Sequence, residues 1–227
     1  PYWDFNEGQR IDVRVFSNAP KVELFFQGES LGTAHIDHRN GTVLSGDWQI
    51  PYKAGTLTAL AYDESGTVIA KDEQRSFGDP VSIQLTPDKD TLTADGEDLI
   101  FVTIDTLDEN HVLVANGRSR MHVSVSGAGR LVGLDNGDSA DQDQYKGTSR
   151  KLFSGKLLAI IAARLEPGEI FMKVSSPSLP DACLTLNAVP ASQDMIRNGV
   201  SCFMENKPYP LAERTVTDDH SHTFVIP

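Results

Sequence analysis

The sequence predicts an all-β protein built as two tandem β-sandwiches. Three observations predict it. Apolar residues recur at every second position in run after run, the runs are short and divided by Gly, Pro and Asp turns, and no window carries a convincing 3.6-residue stripe. Short strands at that spacing are the pattern of immunoglobulin-like sandwiches.

In Arg10-Ile11-Asp12-Val13-Arg14-Val15, the residues Ile11, Val13 and Val15 fall on one face while Asp12 and Arg14 take the other, which makes a half-buried strand. Val22, Leu24 and Phe26 alternate with Lys21, Glu23 and Phe25, and Gln27-Gly28-Glu29 supplies a turn into residues 30–36, so these runs form a hairpin. Further strands are predicted over 42–50, 56–63 and 67–77, separated by Pro51-Tyr52-Lys53-Ala54-Gly55 and by Glu64-Ser65-Gly66. Gly78-Asp79-Pro80 then interrupts the rhythm. Pro80 pushes its predecessor toward an extended conformation, and the first sandwich is assigned to 1–78 and the second to 79–190.

The second half restarts with 81–86 and 98–107, where Ile100, Val102 and Ile104 face inward against Thr103 and Asp105. Met121, Val123 and Val125 continue the alternation. After the bend Gly127-Ala128-Gly129 come strands over 130–134, 150–153, 156–163, 169–175 and 183–189. Residues 157–165 are the one segment with a helical option, but Gly155 before it and Pro167-Gly168 after it favour a buried strand. Residues 191–227 are expected to form an irregular tail or the start of a further module, with 223–227 as its first strand.

The chain of 227 residues has room for two ordinary domains. Its net charge of -12, with 20 scattered basic residues, argues against nucleic acid as a partner, because a phosphate-binding face needs clustered Lys and Arg. No apolar run approaches the roughly 20 residues of a membrane span. Cys183 lies in an alternating strand and reads as a small buried hydrophobe. A disulfide to Cys202 requires the tail to fold back, so neither redox compartment nor localisation is fixed. The opening Pro1-Tyr2-Trp3 without a Met reads as a processed or excised piece.

Pro1-Tyr2-Trp3-Asp4-Phe5, then Ile11-Asp12-Val13-Arg14-Val15-Phe16-Ser17-Asn18-Ala19 and Val22-Glu23-Leu24-Phe25-Phe26-Gln27-Gly28-Glu29-Ser30-Leu31-Gly32, resemble the module that follows the catalytic barrel in family 2 glycoside hydrolases. Tyr2 stands where that family commonly has His. The second half is similar to the family's next immunoglobulin-like module through Leu92-Thr93-Ala94-Asp95-Gly96-Glu97-Asp98-Leu99, 127–138 and Leu152-Phe153-Ser154-Gly155-Lys156. The resemblance implies a bacterial β-galactosidase-type parent that works by the retaining two-carboxylate mechanism. It also implies that both catalytic glutamates lie on the barrel, before Pro1, so no catalytic residue is assigned here. The barrel of the same parent chain is the implied partner, and no cofactor is expected.

The remaining motifs are weaker. Gly28-Glu29-Ser30-Leu31-Gly32 spells the nucleophile-elbow pattern, but that motif needs a helix after the Ser and a strand follows here. Gly127, Gly129 and Gly133 are spaced one residue too far for a dinucleotide loop and are read as turn glycines. Asp135, Asp138, Asp141 and Asp143 crowd one loop and are weak Ca²⁺ candidates without EF-hand spacing. His35 with His38, and His220 with His222, are read as surface groups. Trp3, Trp48, Tyr52 and Tyr145 are candidate sugar platforms, because aromatic faces stack on pyranose rings. Trp3 is expected to pack against the barrel. The preferred reading is a structural region that braces the barrel. The alternatives are a carbohydrate-binding module, and adhesin-type repeats, which fit the second half alone.

Overall fold

The computed structural model describes residues 3–37, 44–192, 216–217 and 223–224. Among these residues every regular element is a strand. The first half contains β1 (Arg10–Phe16), β2 (Lys21–Phe26), β3 (Glu29–His35), β4 (Ser45–Pro51), β5 (Thr56–Tyr62) and β6 (Val68–Arg75). β1 pairs with β4 in a two-stranded antiparallel sheet, and the others form a four-stranded sheet in the order β3-β2-β5-β6. The alternation seen in the sequence sets which faces meet. Ile11, Val13, Val15, Trp48 and Ile50 from β1 and β4 pack against buried Leu24 and Leu57 of β2 and β5, while Trp3 and Tyr52 close the cluster. Burying a Leu side chain contributes roughly 1.5–3 kcal/mol, so this small core depends on its aromatic caps.

The second half holds β7 (Ser82–Pro87), β8 (Thr91–Ala94), β9 (Leu99–Leu107), β10 (Arg120–Gly127), β11 (Gly129–Asp135), β12 (Ser149–Lys151), β13 (Lys156–Ala163), β14 (Gly168–Ser176) and β15 (Leu179–Pro190). A five-stranded sheet, β12-β10-β14-β15-β8, faces a four-stranded sheet, β11-β13-β9-β7. Their inner faces supply one continuous core in which Ile100, Val102 and Ile104 of β9 meet Met121, Ile170, Met172 and Val174 of the other sheet. This is the all-β sandwich architecture that the period-two pattern predicts. The segment with a helical option is strand β13, central in its sheet.

Two details differ from the sequence reading. β8 was not expected. Leu92 and Ala94 sit among polar residues, and the strand exists because it pairs in parallel with the end of β15, from Asn187↔Thr91 to Pro190↔Ala94. Cys183 is exposed rather than buried. In β15 the inward set is Leu184, Leu186 and Ala188, and Cys183 is one step out of phase, opposite Lys173. Gly127 ends β10 with φ +82, and a Cβ there would collide with the carbonyl oxygen of Glu169, so the crossing between the sheets requires glycine. The serine of the elbow-like motif follows a turn at Gln27 and Gly28, both at positive φ, and is the second residue of β3, where its hydroxyl donates to Glu23 at 2.6 Å. A strand follows that serine, not a helix. Apart from a pairing of Val216–Thr217 with Thr223–Phe224, the tail expectation lies outside the described residues, as do Cys202, His38, His220 and His222.

Candidate functional site

The acidic loop between β11 and β12 is held by a network of side-chain and backbone hydrogen bonds. At its centre is Arg150 of β12, whose side chain is fully buried. The guanidinium donates from Nε to Asp141 Oδ2 at 3.0 Å and from Nη1 to the backbone oxygens of Leu134 and Asp143, both at 3.2 Å. Its Nη2 has no hydrogen-bond partner, and the Tyr145 ring lies over the guanidinium carbon, 4.4 Å from centroid to Cζ. A buried charge needs this degree of pairing to be tolerated. Asp141 also accepts from Asn136 Nδ2 at 2.7 Å and from the Asp143 N–H at 2.9 Å. Its carboxyl is held below the usual range, first by the Asp143 N–H and then, against partial burial, by Asn136 and Arg150.

Each of the Ca²⁺ candidates already has a partner within the chain. Asp135 accepts from the Gly137 N–H and Asp138 from the Ala140 N–H, both at 2.9 Å, in Asx turns. Asp143 forms an ion pair with Arg120 at 2.8 Å, although it is not aligned as a hydrogen bond. Among the described residues no group of three or more His, Cys, Asp or Glu side chains is arranged to hold a metal ion. The loop is drawn around the Arg150 guanidinium.

The four aromatic candidates separate by burial. Trp3 is 3% exposed, packs at 5.0 Å on Tyr52 and 5.9 Å on Phe5, and donates its indole N–H to the Lys53 oxygen. Its ring is therefore core to this chain and is not presented to a neighbouring barrel. Tyr52 is likewise buried, its hydroxyl 3.0 Å from Ser76 Oγ. Trp48 is half-buried against β1 and β2. Tyr145 alone is 58% exposed, with one ring face resting on Arg150.

The one buried acid among the described residues is Asp108, which sequence reasoning did not single out. Its Oδ2 accepts the Gly78 N–H at 2.8 Å, and its Oδ1 accepts the N–H groups of Asn110 and Val112 at 2.9 and 2.8 Å. Burial pushes its pKa up, but the N–H donors of Gly78, Val112 and Asn110 outweigh that and hold it below the ordinary value. The carboxylate ties Gly78, where the first rhythm stops, to the loop after β9. Backbone N–H groups take three of the roughly four acceptor sites of this carboxylate. Asp-Glu-Asn at 108–110 resembles any surface turn in sequence, and its burial has no local signature.

The family "Glycoside hydrolase family 2 C-terminal domain 5" matches residues 83–185, and a domain family of unknown function, DUF4982, matches residues 8–70. The chain belongs to the C-terminal region of glycoside hydrolase family 2. It is 38% identical over 189 residues to a β-galactosidase of Bacteroides ovatus, covering 83% of this chain and 22% of that protein. It is 31% identical to a putative β-glucuronidase of Formosa agariphila, covering 74% of this chain and 16% of that one. The chain thus spans about a fifth of the length of these two relatives. The solved structure of a family 2 member from Bacteroides cellulosilyticus superposes with a TM-score of 0.76 at 27% identity, over 84% of this chain and 24% of that one. A β-glycosidase from Bacteroides vulgatus gives the same TM-score and identity over 83% and 24%. Among the described residues no helix is long and apolar enough to cross a membrane.

Proposed function

We propose that this family 2 region is non-catalytic and braces the catalytic barrel of a retaining β-galactosidase-type parent whose acid and nucleophile glutamates lie on that barrel. Residues 1–78 and 79–190 act as two sandwich domains joined at Gly78. The observation that carries the reading is the state of Asp108: the buried carboxylate of the described chain is spent on three backbone N–H groups. Retaining hydrolysis requires two carboxyl groups about 5 Å apart across a sugar. The 38% identity to a β-galactosidase supports the parent's class.

The test is to express the 227-residue chain alone and assay chromogenic β-galactosides. A folded chain without turnover is expected, together with a lower melting temperature for the parent when this region is deleted. Turnover that a substitution within residues 3–190 abolishes refutes the proposal.

A second reading rests on Tyr145, whose ring is exposed and fixed from below by Arg150. A fixed aromatic face offers contact area at low entropic cost, so Tyr145 is the candidate through which the region holds a polysaccharide. Affinity electrophoresis in β-galactan gels distinguishes this reading, which requires retardation that Tyr145→Ala removes.

A further inference from the structure

Sheet edges are aggregation hazards, and natural proteins blunt them by shortening, bulging, proline or cover. Most edges here carry such a device. β8 and β12 have four and three residues. The pairings that hold β3, β6 and β11 at their sheet edges all contain register shifts. β7 ends in Pro87. β1 carries none of these four and has only the charged side chains of Arg10, Asp12 and Arg14. It is seven residues long, its register with β4 runs unbroken from Arg10↔Pro51 to Phe16↔Ser45, and among the described residues β4 is its one partner.

The bonds at either end of that ladder fix which backbone groups are free. Tyr52 donates to the Gln9 oxygen and Ser17 donates to the Leu44 oxygen. Odd-numbered residues of β1 therefore bond to β4, and the N–H and C=O groups of Arg10, Asp12, Arg14 and Phe16 point to the open edge. Beneath that edge, between β1 and β6, runs a groove of about 550 Å³ lined by Trp3, Ile11, Val13, Val15 and Leu57. Phe16 at the strand end is 71% exposed.

We infer that β1 is the interface for a second copy of this chain, joined edge to edge about a twofold axis through Val13. In that register Asp12 faces Arg14 of the second copy and Arg14 faces its Asp12. Phe16 faces the second copy's Arg10, and Ile11 its Val15. The free backbone groups are those of even-numbered residues, and this antiparallel register pairs even with even, so each such pair exchanges both hydrogen bonds. The charges that elsewhere blunt an edge here become two opposite-charge cross-strand pairs. Arg10 meets an aromatic ring across the strand. The Ile11, Val13 and Val15 faces of both copies merge into one apolar strip over the grooves. A shift of one residue loses the backbone pairing, and a shift of two sets Arg14 against itself.

The test is the mass of the 227-residue chain by sedimentation equilibrium over a range of protein concentrations. A concentration-dependent dimer is expected. Asp12→Arg and Arg14→Asp each place like charges opposite one another and are expected to weaken dimerisation by about tenfold or more. Within one chain Arg14 and Asp47 form an exposed pair, so its loss leaves the fold intact, which circular dichroism checks. Mixing the two variants restores opposite charges across the interface and is expected to recover the dimer as a heterodimer. A monomer at every concentration overturns the inference. So does a dimer indifferent to both substitutions, which places the interface elsewhere, or a mixture of variants that stays dissociated.

Discussion

Replacing Arg150 with Met tests most directly how the acidic loop is held. Met fills a similar volume along the aliphatic stem but withdraws the charge and every donor. The backbone oxygens of Leu134 and Asp143 lose the hydrogen bonds they accept from Nη1. The Leu134 N–H already turns to the Tyr145 oxygen, so this residue's polar groups face the loop and its oxygen has no ladder donor to fall back on. An acceptor stranded in this way costs about 1–3 kcal/mol. Two of them, partly rehydrated as the loop loosens, give about 3 kcal/mol. For a domain near one hundred residues that corresponds to a fall in melting temperature of roughly 10–20 °C.

The assay follows from where the chromophores sit. Both tryptophans, Trp3 and Trp48, lie in the first sandwich, so Trp fluorescence reports that half and far-ultraviolet circular dichroism reports both. Arg150→Met is expected to bring forward part of the dichroism transition and leave the fluorescence transition in place. Arg150→Met with Asp141→Asn is expected to be less destabilised than the two single effects added, because the second change removes an acid left without its cation. A loss below about 1 kcal/mol for Arg150→Met refutes the argument that the guanidinium organises the loop.

Trp3→Ala opens a cavity beside Tyr52 and Leu57 and is expected to cost about 3–5 kcal/mol, read by urea denaturation of the first sandwich. Gly127→Ala forces a side chain into the left-handed region against the Glu169 carbonyl and is expected to cost about 2 kcal/mol or more, read by urea denaturation of the second half followed by circular dichroism. Asp108 has a folded-state pKa below its unfolded value of about 4, so its contribution is present above that pH and is lost as pH falls through the folded value. Asp108→Asn sets an amide against three N–H donors. It is expected to cost about 1–3 kcal/mol at neutral pH and to make stability less steep below pH 4, measured by urea titrations across that range.

Part of the candidate site was legible along the chain and part was not. The crowding of Asp135, Asp138, Asp141 and Asp143 marked a polar loop, and turn chemistry at Asp135-Asn136-Gly137 is local, so both could be read directly. The organiser of the loop was not legible. Arg150 stands between Ser149 and Lys151 in a short strand, where a basic residue ordinarily faces water. Its burial depends on carbonyls and a carboxylate that come from 134, 141 and 143. Asp108 was hidden for the same reason, since its most distant donor, Gly78, lies 30 residues away. The phase of β15 was misread at Cys183, although Leu184 and Leu186 alternating with Thr185 and Asn187 mark the inward set and leave Cys183 one step out of it.

By itself the sequence determined the class of fold. Alternation with period two and frequent turn residues are local signals, and backbone geometry converts them into strands with one buried face. It also carried the likeness to family 2 modules in runs such as 11–19 and 127–138. Tertiary structure alone decided which aromatic rings are core, with Trp3 and Tyr52 closed against each other and Tyr145 left outside. It also decided that β8 exists at all, since a four-residue strand needs the edge of β15 to satisfy its backbone. Burial and partner choice depend on residues brought together from far along the chain, and no window of sequence contains both members of such a pair.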